Sequence, residues 1–188
     1  MTTDNRTELS DLLYRATIER DENKIRALTD AGADINIADH YGRTALFDAV
    51  QQINNEGVVR ALIAASADVN ITDNDGKTAL FYAVQQSNNE SVVRALIDAG
   101  AGVNITAYCD RKTALFYAVQ QSNNESVVRA LIDAGAGVNI TAYCDRKTAL
   151  FYAVQQSNNE SVVRALIDAN ADVNKTDDDG KTALFYAV

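Results

Sequence analysis

The stretch TALFYAVQQSNNESVVRALIDAGAGVNITAYCDRK decides the fold, because it occurs twice in immediate succession, from Thr78 to Lys112 and from Thr113 to Lys147. Looser copies flank it on both sides. The string TALF begins at Thr44, Thr78, Thr113, Thr148 and Thr182, with spacings of 34, 35, 35 and 34 residues. Self-similarity at a fixed period of this length is typical of repeat architectures. Two identical blocks cannot each hold a different catalytic role, so the sequence indicates a stack of equivalent units.

Each unit carries two apolar segments with the spacing of helices. In the first segment the residues that share one helical face are Leu80, Ala83 and Val84. A polar break, QQSNNE, follows, and its Ser87 and Glu90 have the spacing of a capping box, which predicts a new helix start. The second helix has one apolar stripe, formed by Val92, Val93, Leu96 and Ile97.

The second helix of each unit is expected to end at a residue in the left-handed conformation, which suits Gly best and Asn next. The residues at this place are Gly32, Ser66, Gly100, Gly135 and Asn170. Ser66 departs from the preference, so we expect a looser helix end there. A turn cluster such as DNDG at 73–76 then predicts a tight reversal between extended segments. One unit alone buries little apolar surface, whereas stacked units share a continuous core, so the sequence predicts an all-α repeat solenoid.

The charge and the cysteines restrict the class of partner and the compartment. A formal net charge of −9 argues against nucleic acid, and no apolar run is long enough to span a membrane. The N-terminus lacks the apolar stretch of a signal peptide. Cys109 and Cys144 recur at the same place in successive units, which should pack about 8–10 Å apart, too far for a disulfide. We therefore expect free thiols in an intracellular reducing compartment, with the cytoplasm favoured.

Catalytic, cofactor and metal motifs find little support. His40, the only histidine, lies in a turn cluster, where a solvated side chain is a better interpretation than a general base. The GKT at 76–78 resembles the end of a P-loop, but Ile71 stands where its first glycine is required. The DDDG at 177–180 lacks the ligand spacing and the closing Glu of a calcium loop. We predict no enzyme activity, no cofactor and no metal.

The repeated pattern resembles a known family. The units conform to D-x-D-G-K-T-A-L-F-Y-A … V-V-R-A-L-I-D-A-G-A-D-V-N, which is similar to the ankyrin repeat pattern D-x-x-G-x-T-P-L-H-x-A-A … V-V-x-L-L-L-x-x-G-A-D-V-N. The resemblance covers about residues 8–188. It implies helix-turn-helix units joined by β-hairpin-like loops. The tetratricopeptide repeat has the same period, but its Trp, Gly-Tyr and Pro positions are not present here.

Three departures from the ankyrin pattern lead to expectations about the structure. The proline after Thr is Ala in every copy, which should leave the helix intact. The histidine is Phe, which removes a hydrogen bond between repeats and adds aromatic packing. One residue is inserted between the helices near 88–89, and the identical blocks gain another in the hairpin at 107–112, which also has no glycine. We expect these two hairpin tips to be larger and less regular than the others.

The resemblance also implies a division of the chain, taken as one domain over 1–188. A capping repeat is expected at 6–38, with Glu8, Asp11, Arg15, Glu19 and Arg20 forming a polar outer face. Full repeats are expected at 39–72, 73–106, 107–141 and 142–176, with an incomplete repeat at 177–188. Because the sequence ends inside TALFYAV, we expect a truncated chain, whose last full unit exposes part of its apolar stripe.

Ankyrin-like stacks hold partners in a concave groove of hairpin tips and first helices, which implies three rows of contact residues. The tip row is His40, Tyr41, Arg43, Asn74, Asp75, Lys77, Tyr108, Asp110, Lys112, Tyr143, Asp145, Lys147, Asp178, Asp179 and Lys181. The tyrosine row occupies the first helices and comprises Asp48, Tyr82, Tyr117, Tyr152 and Tyr186. The glutamine row is Gln51, Gln52, Gln85, Gln86, Gln120, Gln121, Gln155 and Gln156.

Each row also has a purely structural interpretation. Tyrosines at this spacing can pack between neighbouring helices with the hydroxyl at the edge, and glutamines can be solvated helix ends. For Tyr108 and Tyr143, in the longer tips, exposure is favoured, and we expect these two side chains and the facing glutamines to contribute most to binding.

The function that this pattern favours is a protein-interaction scaffold that binds a protein partner, with a monomer as the expected state. The alternative is a structural spacer or a module that self-associates by stacking through its open C-terminal end. An enzymatic role is the least favoured interpretation, because the repeats lack the chemistry for it.

Overall fold

The computed structural model describes residues 3–86, 89–121 and 124–187, with side chains from Glu8 onward. The described helices are α1 (Thr3–Glu19), α2 (Glu22–Asp30), α3 (Ala45–Gln51), α4 (Glu56–Ala64), α5 (Ala79–Ala83), α6 (Glu90–Asp98), α7 (Ala114–Ala118), α8 (Glu125–Asp133), α9 (Ala149–Ala153), α10 (Glu160–Asp168) and a final 3₁₀ helix (Ala183–Tyr186). They alternate strictly between the first and the second helix of a unit.

The helices stack in two rows. The first-helix row runs α1, α3, α5, α7, α9 and the 3₁₀ helix, and each member contacts the next. The second-helix row runs α2, α4, α6, α8 and α10 in the same way. Leu96, Leu131 and Leu166 are fully buried along this second row, one per unit, and belong to a single continuous core. The predicted all-α repeat solenoid is therefore confirmed.

The first helices begin at the alanine that replaces the proline of the ankyrin pattern. Ala45, Ala79, Ala114 and Ala149 are the first residues of α3, α5, α7 and α9, so the helix is preserved as expected. Three of these helices have only five residues, too short to be stable alone. Burial holds them in place, since every residue of α5 except Tyr82 is buried.

The second helices start later than the capping-box spacing predicts. α10 begins at Glu160 with Asn159 as its N-cap residue, so Ser157 does not cap it and the prediction is wrong for this unit. Ser87 lies outside the described residues, but α6 likewise begins at Glu90 after Asn89. The asparagine side chain is turned away from the helix start and hydrogen-bonds elsewhere, as described below.

The second helices end as predicted, with one correction. Gly100, Gly135 and Asn170 have φ values of 87°, 86° and 63°. Ser66 has a φ of 69° and the same two closing hydrogen bonds, from its own N–H to Ile63 O at 2.9 Å and from Ala67 N–H to Leu62 O at 3.0 Å. The expected looser end is therefore wrong, because serine closes the helix with the same two hydrogen bonds as glycine, and its carbonyl also accepts from Asn36 of the preceding unit at 3.5 Å.

This left-handed conformation should have a measurable cost. We expect Ser66→Gly to raise the free energy of unfolding by about 1 kcal/mol, because a side chain strains left-handed backbone. The matched control is Gly100→Ser, where an added Cβ would meet no atom within 4 Å, so only backbone strain changes. Urea unfolding should show the two variants shifted in opposite directions by similar amounts. A Ser66→Gly variant less stable than the parent would contradict the interpretation.

The hairpin tips are of two kinds. In the short tip, Asp73 N–H bonds Lys77 O at 2.8 Å, Gly76 has a φ of 77°, and Thr72 and Thr78 form an antiparallel bridge. In the identical blocks the closing bond spans one more residue, from Ala107 N–H to Lys112 O, and Arg111 holds the left-handed position at a φ of 54°. The prediction of larger and less regular tips is confirmed.

The two ends of the stack differ. The expected polar residues of α1 are exposed, and so are the apolar side chains of Leu12, Tyr14 and Ile18. At the other end Leu184 and Phe185 are 80% and 67% exposed. In the last full unit Val163 is half-buried and Ile167 is 46% exposed, so part of its apolar stripe is exposed as expected. None of the helices in the described part of the chain combines the length and apolarity needed to cross a membrane.

Candidate functional site

The predicted tip and tyrosine rows contact each other on a surface that we call the tip face, and the glutamine row follows at the other end of the first helices. It consists of the five hairpin tips, at 39–43, 73–77, 107–112, 142–147 and 177–181, together with the first-helix row. Backbone hydrogen bonds join each tip to the next. The donors Asn74 N–H, Tyr108 N–H and Tyr143 N–H reach the carbonyl oxygens of Tyr41, Asp75 and Asp110 at 3.0, 2.9 and 2.8 Å. The tips therefore form a continuous, hydrogen-bonded edge rather than independent loops.

The tyrosine row packs between neighbouring units. Tyr82, Tyr117 and Tyr152 are half-buried, and each ring lies edge-on against the buried phenylalanine of the preceding unit, at a centroid distance of 5.7 Å. Edge-to-face aromatic pairs at such distances are favourable. The histidine-to-phenylalanine change has thus produced the expected aromatic packing. Most of each tyrosine side chain is packed between helices, as the structural interpretation of this row expects. Only one edge of each ring faces outward.

Aspartates in the tips hold the hydroxyls of Tyr82, Tyr152 and Tyr186. Tyr82 donates to Asp73 at 2.5 Å, and Tyr152 donates to Asp145 at 3.0 Å. Burial, followed by the hydrogen bond from its hydroxyl to Asp73, raises the pKa of Tyr82 to about 12. The same two causes raise the pKa of Tyr152. These tyrosines are neutral hydrogen-bond donors that connect each first helix to its own tip.

A row of cations lies over the tyrosine rings. The Arg43 guanidinium is 5.3 Å from the Tyr82 ring centroid, and Lys112 Nζ is 4.8 Å from that of Tyr152. Lys77 and Lys147 take the same place over Tyr117 and Tyr186, at 5.6 and 4.5 Å. Cation–π contacts of this kind fix the cation above the ring. Each of the first four tips therefore places its last cation over the aromatic side chain of the next unit, whereas Lys181 lies over Phe185 of its own unit.

The glutamine row divides into two kinds of side chain. Gln51, Gln85 and Gln120 are half-buried, and each donates its amide to the carbonyl of the phenylalanine four residues earlier, at 2.7–2.8 Å. This bond satisfies a helix-end carbonyl. Gln155, at the same place in the last full unit, is exposed. The remaining glutamines are half-buried, and are Gln52, Gln86, Gln121 and Gln156.

The tip tyrosines are the most exposed aromatic side chains of the tip face, as expected. Tyr108 and Tyr143 are 69% and 72% exposed. Their surroundings differ although their blocks are identical. The Tyr108 ring lies against Gly76, where an added Cβ would come within 2.6 Å of it. Beside Tyr143, the place of Gly76 is taken by Arg111. Cys109 and Cys144, next to these tyrosines, are exposed free thiols.

The first position of the tyrosine row holds a polar residue. Asp48 replaces tyrosine, and Tyr14 of α1 hydrogen-bonds it. Burial, together with the nearby charge of Asp39, raises the pKa of the Asp48 carboxyl, which Arg43 partly offsets. His40 is exposed and stacks beside Tyr41, with ring centroids 3.8 Å apart. The described side chains contain no group of three or more His, Cys, Asp or Glu placed to hold a metal ion.

Two rows of asparagines are structural features that the sequence reasoning missed. Asn70 accepts from Gly102 N–H at 2.7 Å and donates to Gly100 O at 3.0 Å, and Asn104 bridges to the following unit in the same way. The second row is buried: Asn89 and Asn124 each donate to carbonyls of their own and of the preceding unit. Their recurrence every 34–35 residues was the available signal.

Comparison with known proteins agrees with this architecture. A family model described as ankyrin repeats (3 copies) matches residues 3–73, 54–142 and 115–188. No curated protein matches the chain. The family matches together span nearly the whole sequence, and the two helix rows and connecting tips account for the repeated pattern that they detect. The chain therefore belongs to the ankyrin repeat family.

Proposed function

We propose that this chain is a non-catalytic scaffold that binds a protein partner across the tip face. Ankyrin repeats generally mediate protein–protein interaction. The observation that carries the proposal is the exposure of Tyr108 and Tyr143, at 69% and 72%, on a hydrogen-bonded row of tips. Tyrosine offers a large contact area with few rotatable bonds to immobilise, which suits a binding surface.

The rigidity of the tips supports this role. A surface that is already ordered loses less conformational entropy on binding than a free loop does. Bonds between Tyr108 N–H and Asp75 O and between Tyr143 N–H and Asp110 O hold the two tyrosines in fixed backbone positions. We propose that these rings anchor the partner.

The other predicted contact residues have a supporting role in this proposal. Tyr82, Tyr117 and Tyr152 are packed on phenylalanines, and Gln85 and Gln120 are bonded to helix carbonyls. They form the floor of the groove and would present only an edge to a partner. The side chains that expose most of their surface to a partner are Tyr108 and Tyr143 on the tips.

The test is the double variant Tyr108→Ala/Tyr143→Ala. We expect binding to a partner isolated from the source cell to weaken by roughly tenfold or more, because exposed aromatic anchors dominate interfaces. Affinity is measured by titration, with circular dichroism to confirm folding. The control is Ile53→Ala, which removes an apolar side chain, 70% exposed, from the α3–α4 loop at the other end of the helix. Unchanged affinity of the double variant, or equal loss in the control, would reject the proposal.

A second candidate function is self-association through the C-terminal end. It is favoured by the exposure of Leu184 and Phe185 and by Val154, which is half-buried where Val84 and Val119 are fully buried. Elsewhere in the stack, the following unit covers the corresponding surface of the unit before it. Light scattering over a range of concentrations separates the two candidates, since a stacking module grows in mass and a groove binder does not.

A further inference from the structure

The tips of the two identical blocks carry a charge opposite to that of the whole chain. Counting Asp, Lys and Arg, the five tips have net charges of 0, −1, +1, +1 and −2 in chain order. The chain as a whole has a net charge of −9. The third and fourth tips, 107–112 and 142–147, are therefore a local basic patch, with acidic tips on either side of them.

The acidic groups of these two tips are occupied within the tips. Asp110 accepts from Lys112 N–H at 3.1 Å and lies 3.7 Å from Lys112 Nζ. Asp145 accepts from Lys147 N–H at 3.1 Å and from the Tyr152 hydroxyl. Both carboxylates are half-buried. Asp110 thus pairs with its own tip lysine, and Lys147 Nζ lies over the Tyr186 ring, so the arginines are the outward charges of both tips.

The two arginines are exposed and weakly engaged. Arg111 makes no ion pair with any described residue, and Arg146 Nε lies 3.9 Å from Asp178, with both side chains more than half exposed. Such an exposed pair contributes little. Arg111 and Arg146 also line one open cleft of about 550 Å³, together with Tyr143, Cys144 and Asp178. Two guanidinium groups thus flank an exposed tyrosine, a combination suited to carboxylates.

The spacing of the units restricts the shape of a matching ligand. Helices in successive units pack at about 8–10 Å, so equivalent arginines recur at about that distance along the tip face. A polyproline II segment has three residues per turn and rises about 3.1 Å per residue, which places every third side chain on one side about 9 Å apart. A β-strand brings its same-side residues to about 7 Å, which fits less well.

We propose that the tip face recognises an extended acidic segment in the polyproline II conformation, with carboxylates at every third residue held by Arg111 and Arg146 on either side of Tyr143. This inference rests on the proposed function, which it deepens by naming the chemistry of the partner. The tips at 73–77 and 177–181 are acidic and would repel carboxylates of the partner. The acidic residues of the bound segment should therefore lie in its middle.

The first experiment uses fluorescent peptides and the whole chain. The probe consists of repeated Glu-Pro-Pro triplets, and a second peptide has the same composition with its glutamates clustered at one end. Fluorescence anisotropy should show that the triplet peptide binds several-fold more tightly, and that added salt weakens binding. Equal affinity for the two peptides would overturn the spacing argument.

The second experiment removes the arginines without stressing the backbone. Arg111→Gly/Arg146→Gly places glycine at left-handed positions, with φ values of 54° and 55°, so the variant should be at least as stable as the parent. We expect its affinity for the triplet peptide to fall roughly tenfold. Asp178→Asn should instead tighten binding, because it frees Arg146.

The matched control is Arg94→Gln/Arg129→Gln. These arginines lie on α6 and α8, each 2.8 Å from a glutamate on its own helix, and the control changes net charge by the same amount. It should leave peptide affinity unchanged, and an equal loss would mean non-specific attraction. Tighter binding of a single-stranded oligonucleotide through the same arginines would also overturn the proposal. If no peptide binds but partner capture still depends on Tyr108 and Tyr143, this inference is wrong and the proposed function stands.

Discussion

Phe116→Ala should lower the free energy of unfolding by about 4 kcal/mol, as expected for truncation of a fully buried phenylalanine. The Phe116 side chain is 1% exposed, and its ring lies 5.7 Å from that of Tyr152 in the next unit. The substitution therefore leaves a cavity in the core and removes an aromatic contact between units. The measurement is urea unfolding followed by circular dichroism.

The chain supplies its own controls for this prediction. Phe81 has the same 1% exposure and the same 5.7 Å distance to Tyr117, so Phe81→Ala should cost nearly the same free energy. Phe185 stands at the same place in the final repeat but is 67% exposed, and Phe185→Ala should change stability by less than about 0.5 kcal/mol. A Phe185→Ala variant as destabilised as Phe116→Ala would show that the C-terminal end is covered in solution.

The position of Phe116 in the stack should also change the unfolding mechanism. Because each unit contacts only its neighbours, stability is approximately a sum of unit and interface contributions. Weakening a central interface should separate the unfolding of the two halves, so that the transition of Phe116→Ala becomes broader than that of the parent protein.

Most of the fold follows from the sequence because the repeat is so regular. The apolar stripe Val92, Val93, Leu96 is buried in every described full unit in which a following unit covers it, and glycine marks the helix ends. Ser66 shows the limit of such local reasoning. Its side chain disfavours the left-handed conformation, but the hydrogen bonds that close the helix end are the same as at Gly100, so the repeated fold overrides the local preference of the residue.

The candidate site was predictable only in part. Exposure of Tyr108 and Tyr143 followed from the longer tips, whereas the different surroundings of these two identical residues did not. Tyr108 lies against Gly76 and Tyr143 follows a tip that carries Arg111, so the difference arises from the preceding unit rather than from the block itself. The buried position of Asn124 was also missed, because a polar loop sequence gives no indication that one amide turns inward.

That inward amide leads to the second large expected effect. Asn124 is 5% exposed, and its Nδ2 donates to Ala118 O at 3.1 Å within its own unit and to Val84 O at 3.2 Å in the preceding one. Asn124→Ala removes this donor from both carbonyls, of which Ala118 O keeps a bond from Gln121 N–H at 3.2 Å, whereas Val84 O loses its side-chain donor. An unsatisfied buried polar group costs about 1–3 kcal/mol, so we expect a loss of about 2–3 kcal/mol in the free energy of unfolding.

Asn55 is the matched control, because it occupies the same place in an earlier unit. Its side chain donates only to Ala49 O, at 3.0 Å. Its buried Oδ1 has no partner among the described residues. Asn55→Ala should therefore cost about 1 kcal/mol, since removing the unpaired oxygen offsets part of the lost bond. Asn124→Asp keeps the shape but replaces the donor by an acceptor, and should be at least as damaging as alanine. Equal losses in Asn55→Ala and Asn124→Ala would mean that the bond to Val84 does not join the units, and that the inserted asparagine serves only its own loop.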